Sequence, residues 1–93
     1  AALESLARGL ALELGHTKKI RVNIVSAGVV DTDALKFFPN REQLLEEYAR
    51  RTPLGPTLKT EQVADAVYLL CLPEAAMITG HTLVVDGGYC ISG

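Results

Sequence analysis

A stretch of small, β-branched and hydroxylated residues in the first half of the chain has the composition of a ligand-binding loop. Residues 21–33 read RVNIVSAGVVDTD, in which Ala27 and Gly28 break an apolar run that suits a buried strand. Ligands of open parallel sheets bind beyond the carboxyl ends of the strands. Gly28 lets a flat ligand approach the backbone, and Val30 presents backbone amide and carbonyl groups. Thr32 places a hydroxyl before a helical segment whose N–H groups favour a phosphate. These residues predict a small, anionic and partly planar ligand.

The same loop has a second interpretation that needs no ligand. A tight turn at Gly28 and a helix cap at Thr32 would account for both residues. Their spacing alone favours this second interpretation, because short motifs of this kind are not specific.

Histidine and cysteine side chains are too scattered to predict a metal or redox site. Two of each occur, far apart, and there is no Cys-x-x-Cys motif. Two reduced thiols are typical of a cytosolic protein. No apolar run approaches the ~20 residues that span a bilayer, and the N-terminus has no signal-peptide pattern. The net charge of -2 provides no basic field for nucleic acid. We therefore expect a cytoplasmic protein that binds neither nucleic acid nor membrane and holds no metal.

The elements that would position the loop alternate between helix and strand. Apolar residues recur with helical spacing over residues 1–14, and Gly15 then offers a left-handed stop. The chain begins in helical character without a Met or a cap residue, which we interpret as a cut inside a helix. The predicted elements that follow are a strand from Ile20 to Ser26, a short helical piece from Asp33 to Phe38, a helix from about Arg41 to Arg51 capped by Asn40, a helix capped by Thr60 that ends before Pro73, and a strand from Thr82 to Val85.

This order of elements predicts the fold class. A strand, a helical crossover and a second apolar strand form a parallel pair. Two parallel strands are not stable alone, and parallel sheets are covered on both faces, so the first strand needs another neighbour. We predict an α/β fold: the C-terminal portion of a doubly wound, Rossmann-like parallel sheet, with two strands and covering helices. Residues 1–93 would be part of a single domain, with the Leu and Val residues of the first strand unusually exposed.

Three motifs in order give the chain a resemblance to the short-chain dehydrogenase/reductase family. Residues 22–32 resemble that family's strand and loop of the form Val-Asn-x-Val-x-Pro-Gly-x-x-x-Thr, with Ala27 in place of the usual Pro. Residues 60–64, TEQVA, resemble the start of its last large helix, and residues 78–88, ITGHTLVVDGG, resemble its closing strand and turn. Residues 1–3 resemble the segment that follows its catalytic lysine. The resemblance covers essentially the whole chain and implies a nicotinamide-dependent oxidoreductase domain.

The resemblance also implies cofactor-binding roles for four residues. Val30 would bind the nicotinamide carboxamide through its backbone, and Thr32 would hold the pyrophosphate region through its hydroxyl. Ala27 and Gly28 would lie against the nicotinamide. NADP(H) is the expected cofactor. NAD(H) is the alternative, because the family's residue that selects between the two cofactors would precede residue 1.

A narrower resemblance concerns the substrate. Residues 31–42, DTDALKFFPNRE, resemble the type III enoyl-acyl-carrier-protein reductases, which reduce an enoyl thioester with NADPH in fatty-acid synthesis. The substrate would then be a small molecule or a group linked to acyl carrier protein. A 3-oxoacyl-acyl-carrier-protein reductase or another short-chain dehydrogenase is the alternative among enzymes. A binding or assembly module without catalysis is the alternative outside them. The apolar residues of the implied substrate-side lid, which ordinary helix packing explains equally well, are Phe37, Phe38, Leu44, Leu45 and Tyr48.

No catalytic residue is assigned in this chain. The family's phosphate loop and its catalytic Tyr and Lys would precede residue 1, and the tyrosines at 48, 68 and 89 do not lie in that motif. The chain alone is therefore expected to be inactive. Asn23 and Asp86 are expected to be structural, through bonds to loop backbone. Because the family associates through the helix after the catalytic lysine and through the closing strand, the resemblance implies a homotetramer.

Overall fold

The computed structural model describes residues 1–30 and 37–92 of the chain. Thr32 and most of the helical piece predicted from Asp33 to Phe38 lie outside these residues. The helices are α1 (Ala2–Lys18), α2 (Arg41–Arg51) and α3 (Thr60–Cys71), and the strands are β1 (Ile24–Ala27) and β2 (Thr82–Val85). Two short 3-10 turns, Pro73–Ala75 and Tyr89–Ile91, follow α3 and β2 respectively.

The two strands pair in parallel, as the sequence predicted. Ile24 lies opposite Thr82 and Ala27 lies opposite Val85, so the strands run in register over their whole length. Helix α3 packs against both strands. The carboxyl ends of the strands therefore lie side by side, where a ligand of an open parallel sheet would bind.

Helix α1 extends further than the sequence predicted. It continues through Gly15 to Lys18, because a glycine inside a helix costs only about 1 kcal/mol and its backbone bonds can still form. Lys19 adopts the left-handed conformation that ends the helix, with φ of 56°. The amide of Ile20 then donates to the carbonyl of Leu14 at 3.1 Å. The predicted stop at Gly15 was wrong by one helical turn.

Strand β1 begins four residues later than predicted. The segment before it is held by the connection that precedes β2. The Val22 amide donates to Thr79 Oγ1 at 3.1 Å, and the Gly80 amide donates to the Val22 carbonyl at 2.8 Å. These bonds replace the ladder that a longer strand would need, so residues 20–23 run as an extended connection.

The boundaries of the later elements agree closely with the sequence. Helix α2 spans the predicted residues with Asn40 at the capping position, but the Asn40 side chain makes no capping hydrogen bond. The Asn40 carbonyl accepts from the Leu44 amide at 3.0 Å. Helix α3 begins at Thr60, but the capping position is Lys59, whose amide donates to Gln62 Oε1 at 2.8 Å. The predicted cap at Thr60 was wrong by one residue, because the Gln62 side chain closes the first turn.

The core of the described residues is small. Its buried apolar residues are Ala7, Ala11, Tyr48, Ala66 and Ala75. In β1, Ile24 and Val25 are half-buried and Ala27 is exposed, which agrees in part with the exposure expected for a strand that lacks a neighbour. On α1, the side chains of Leu3 and Leu6 are 64% and 60% exposed, so this helix presents an apolar face to solvent. Within the described ranges, every helix is too short or too polar to cross a membrane.

Candidate functional site

The loop that leaves β1 is held at its first three residues. The Gly28 amide donates to the Val85 carbonyl at 2.9 Å, which extends the strand pairing by one residue. The Leu58 amide donates to the Val29 carbonyl at 3.0 Å, and Val30 forms an isolated parallel bridge with Leu58. The carbonyl of Val29 and the amide of Val30 belong to one trans peptide group, so they point in opposite directions. The Val30 amide therefore points away from Leu58.

Gly28 is packed so tightly that its missing side chain has a structural reason. A Cβ atom at this position would meet the Tyr48 hydroxyl and would lie 3.0 Å from the Cβ of Asp86. The contact with the Tyr48 hydroxyl is closer than real Cβ atoms essentially ever make, and the contact with Asp86 is tighter than ordinary van der Waals contact. On the side that faces α2, Gly28 makes room for the Tyr48 hydroxyl. The sequence did not indicate this contact.

Tyr48 connects the loop to the turn after β2. Its side chain comes from α2 and only 7% of the residue is exposed. The Val29 amide donates to the Tyr48 hydroxyl at 3.1 Å, and that hydroxyl donates to the Asp86 carbonyl at a longer 3.4 Å. The sequence analysis assigned Tyr48 to the implied substrate-side lid or to ordinary helix packing and gave its hydroxyl no role. The only sequence signal was a tyrosine at an inward position, where a buried hydroxyl needs a partner.

An aromatic stack holds the ring of Tyr48. The rings of Tyr48 and Tyr89 are 4.7 Å apart with an interplanar angle of 16°. The Arg51 guanidinium lies 4.9 Å from the centre of the Tyr89 ring, and its Nη1 donates to the Tyr89 hydroxyl at 3.3 Å. Cation–π contact and aromatic stacking thus fix the tail of the chain against α2.

The turn after β2 is closed by the carboxylate of Asp86. Its two oxygens accept from the amides of Gly88 at 2.9 Å and Cys90 at 2.8 Å. The Gly88 amide is the main reason that the pKa of Asp86 is lowered from its ordinary value. The same carboxylate raises the pKa of the Cys90 thiol, which disfavours a nucleophilic thiolate. Asp86 is structural, as the sequence predicted.

Asn23 has the structural role that was predicted for it. Its side-chain nitrogen donates to the Ile78 carbonyl at 2.9 Å, and its side-chain oxygen accepts from the His81 amide at 3.0 Å. Both bonds tie the start of β1 to the start of β2, because Ile78 and His81 lie in the connection that enters β2. Asn23 therefore fixes the register of the strands that carry the loop.

Two cavities open at the loop and share three of their lining residues, Val29, Tyr48 and Tyr89. The larger, of about 500 Å³, is otherwise lined by residues 26–28, Val84, Asp86 and Cys90. The smaller, of about 260 Å³, is otherwise lined by Arg41, Leu44, Leu45 and Glu47 of α2. Tyr48 and Tyr89 thus lie between a space next to the strand ends and a space next to α2.

Three of the four predicted site residues lie together at this edge of the sheet. Ala27 ends β1 and is exposed, while Gly28 and Val30 are half-buried in the loop that follows. The fourth, Thr32, lies outside the described residues. Within residues 1–30 and 37–92, no three His, Cys, Asp or Glu side chains are grouped so that they could hold a metal ion.

A parallel pair of strands with a glycine loop at its carboxyl end defines a Rossmann-like α/β protein, and comparison with known proteins identifies the family. A family model described as Enoyl-(Acyl carrier protein) reductase matches residues 1–90. The chain belongs to the short-chain dehydrogenase/reductase family, as the three sequence motifs implied.

Individual relatives agree with this assignment. A tropinone reductase homologue from Arabidopsis thaliana is 42% identical over 92 residues, which are 99% of this chain and 35% of that protein. A short-chain type dehydrogenase/reductase from Mycobacterium ulcerans superposes with a TM-score of 0.86 at 32% identity, over 98% of this chain and 33% of that one. A 4-hydroxyisoleucine dehydrogenase complexed with NADH superposes with a TM-score of 0.78 at 29% identity, over 99% of this chain and 36% of that one. The chain spans about a third of the length of the curated relatives that it matches.

Proposed function

We propose that the intact protein is a nicotinamide-dependent reductase and that this chain forms the nicotinamide side of its cofactor site. The direction of the Val30 amide is the observation that carries this proposal. The Leu58 bond to the Val29 carbonyl turns the Val30 amide away from Leu58, where it can donate to a ligand. Ala27 has a small side chain and Gly28 has none, so a flat ring can approach the backbone here.

Each residue of the loop has a binding role in this proposal. Val30 binds the carboxamide of the nicotinamide through its backbone, and Ala27 and Gly28 lie against the ring. Thr32 holds the pyrophosphate region through its hydroxyl. NADP(H) is the proposed cofactor and NAD(H) the alternative; the NADH complex of the similar 4-hydroxyisoleucine dehydrogenase supports a nicotinamide cofactor in either case. The cofactor supplies the hydride, and these residues bind and orient it.

The tyrosines of this chain have structural roles or lie exposed, and none is proposed to transfer a proton. The Tyr48 hydroxyl bonds two backbone groups and the Tyr89 hydroxyl accepts from Arg51, while Tyr68 lies exposed on α3. We therefore propose that the 93-residue chain by itself does not reduce any substrate. Oxidation of NADPH or NADH by the purified chain, above a buffer control and lost on Thr32→Ala, would contradict this.

Reduction of a carbonyl group is the activity that the comparisons favour for the intact protein. Curated relatives at 35–42% identity are named as tropinone reductase homologues, and tropinone is a ketone. Reduction of an enoyl thioester on acyl carrier protein is the second candidate, supported by the description of the matching family model. The intact protein should be assayed with a small cyclic ketone, a 3-oxoacyl thioester and an enoyl thioester, each with NADPH and with NADH. Turnover of the enoyl thioester alone would reverse the order of the two candidates.

The role of Thr32 provides the test of the cofactor site. Thr32→Ala in the intact protein should raise the KM for the cofactor, because a hydrogen bond to a charged group contributes roughly 1.5–3 kcal/mol. Thr32→Ser should restore the wild-type value. Thr17→Ala is a matched control, since the Thr17 hydroxyl donates to the Glu13 carbonyl of its own helix at 2.8 Å. An unchanged KM in Thr32→Ala would favour a helix cap over a cofactor ligand.

We also propose a homotetramer for the intact protein. The exposed leucines of α1, Leu3 and Leu6, form an apolar face of the kind that monomers seldom leave uncovered. Sedimentation velocity of the intact protein should give the mass of four copies. A monomer that unfolds cooperatively and binds no nicotinamide would instead favour the binding or assembly module.

A further inference from the structure

The backbone of Val29 is held from two opposite directions. Its carbonyl accepts from the Leu58 amide at 3.0 Å, and its amide donates to the Tyr48 hydroxyl at 3.1 Å. The first bond comes from the main chain before α3, whereas the second comes from a side chain of α2. Both peptide groups of Val29 are therefore oriented before any ligand arrives, and one of them contains the Val30 amide.

The position of the Tyr48 hydroxyl is itself determined by its surroundings. Stacking on Tyr89 fixes the plane of the ring, and the Arg51 guanidinium lies against Tyr89. Thr52 Oγ1 donates to the Tyr48 carbonyl at 2.6 Å, which holds the last turn of α2. Because Gly28 has no Cβ, the hydroxyl can reach the Val29 amide at all.

The geometry points to Tyr48 as a positioning residue for the cofactor, one that acts through Val29 on the Val30 amide. Its hydroxyl holds the loop at a fixed distance from the turn at Asp86 and so keeps the Val30 amide directed away from Leu58. Removing the hydroxyl leaves one side of Val29 unrestrained, and the loop then has to be ordered when the cofactor binds. This role rests on the proposed nicotinamide site at Val30.

Tyr48→Phe in the intact protein tests the inference, because it keeps the stacked ring and removes only the hydroxyl. The KM for the nicotinamide cofactor should rise roughly three- to ten-fold, the equivalent of one neutral hydrogen bond. The KM for the other substrate should stay unchanged, and kcat should change less than two-fold or so. Tyr68→Phe is the matched control, since Tyr68 is exposed on α3, and it should leave all three constants at their wild-type values.

The outcomes separate this inference from the proposed function. If the wild-type protein binds neither NADPH nor NADH in calorimetry, the nicotinamide site itself is wrong. If the wild type binds and Tyr48→Phe binds equally tightly, only the positioning role is overturned. Equal rises in both KM values, or a fall in kcat alone, would also overturn it. Should Tyr48→Phe fail to fold, Tyr89→Leu removes the ring that stacks on Tyr48 and must raise the cofactor KM alone.

Discussion

Gly28→Ala combined with Tyr48→Phe provides the sharpest test of how the loop is packed. The alanine methyl group would meet the Tyr48 hydroxyl and would lie 3.0 Å from Asp86 Cβ and 3.1 Å from Asp86 Cα. Overpacking of this kind costs about 1–3 kcal/mol, and loss of the Val29 bond adds about 1 kcal/mol. Alanine also stabilises the protein by roughly 0.4–1 kcal/mol, because it restricts the unfolded chain. We expect Gly28→Ala to lower the free energy of unfolding by about 2–3 kcal/mol.

The double variant isolates the contact between the two side chains. Tyr48→Phe alone should cost about 1–2 kcal/mol, because the half-buried Val29 amide loses its acceptor. In the double variant the hydroxyl is absent, so the alanine methyl loses its closest clash while its contacts with Asp86 remain. The double variant should cost at least about 0.5 kcal/mol less than the sum of the two single variants, which is the lower end of the range for residues in contact.

Urea unfolding of the four proteins in this cycle measures these differences, provided that the slope m stays constant. Gly9→Ala is the control substitution: within the part of the chain that the structure describes, a Cβ at Gly9 meets nothing within 4 Å. It should stabilise α1 by roughly 0.5–1 kcal/mol. Additive costs for Gly28→Ala and Tyr48→Phe, or a stable Gly28→Ala protein, would refute the reasoning about this contact.

Further predictions concern the turn after β2, the core and the end of α3. The lowered pKa of Asp86 means that its carboxylate stabilises the fold above the ordinary carboxyl pKa and that this contribution is lost as the pH falls through the folded-state value. The difference in Tm between the wild type and Asp86→Asn should therefore shrink in acid; a constant difference would exclude this linkage. Ala66→Leu should cost about 1–3 kcal/mol in urea unfolding, since Ala66 is 5% exposed. An unchanged urea midpoint would mean that the larger side chain fits without overpacking. Arg21→Lys should cost roughly 1.5–3 kcal/mol in the same assay, because the guanidinium donates to the carbonyls of Leu70 at 2.8 Å and Ile78 at 3.2 Å; no loss would mean that lysine reaches both.

The elements that could be predicted from sequence are those with strong local signals. Strand β2 is a β-branched run stopped by Asp86 and two glycines, and its observed bounds match. The end of α3 follows from Pro73, which cannot continue the helix. The end of α1 could not be read locally, because Lys19 in a left-handed conformation has no sequence signature and Gly15 offered a stronger one.

The residues of the candidate site also differ in how far they could be predicted from sequence. Ala27, Gly28 and Val30 are neighbours in sequence, so one motif was enough to bring them together. Tyr48 is 19 residues from Val29 and 38 from Asp86, and it meets both only after α2 has packed. Helical periodicity gives the direction of a side chain but not the atom that its hydroxyl reaches.

The stack of Tyr48 on Tyr89 also has an optical consequence. The chain contains no tryptophan and three tyrosines, so its near-ultraviolet circular dichroism comes mainly from tyrosine rings. Two of these rings are 4.7 Å apart in a fixed geometry, while Tyr68 is exposed. The stack therefore acts as an intrinsic label at the place where α2, the loop and the tail meet. Loosening of that junction by heat, acid or substitution should be visible in the spectrum of this chain without any added probe.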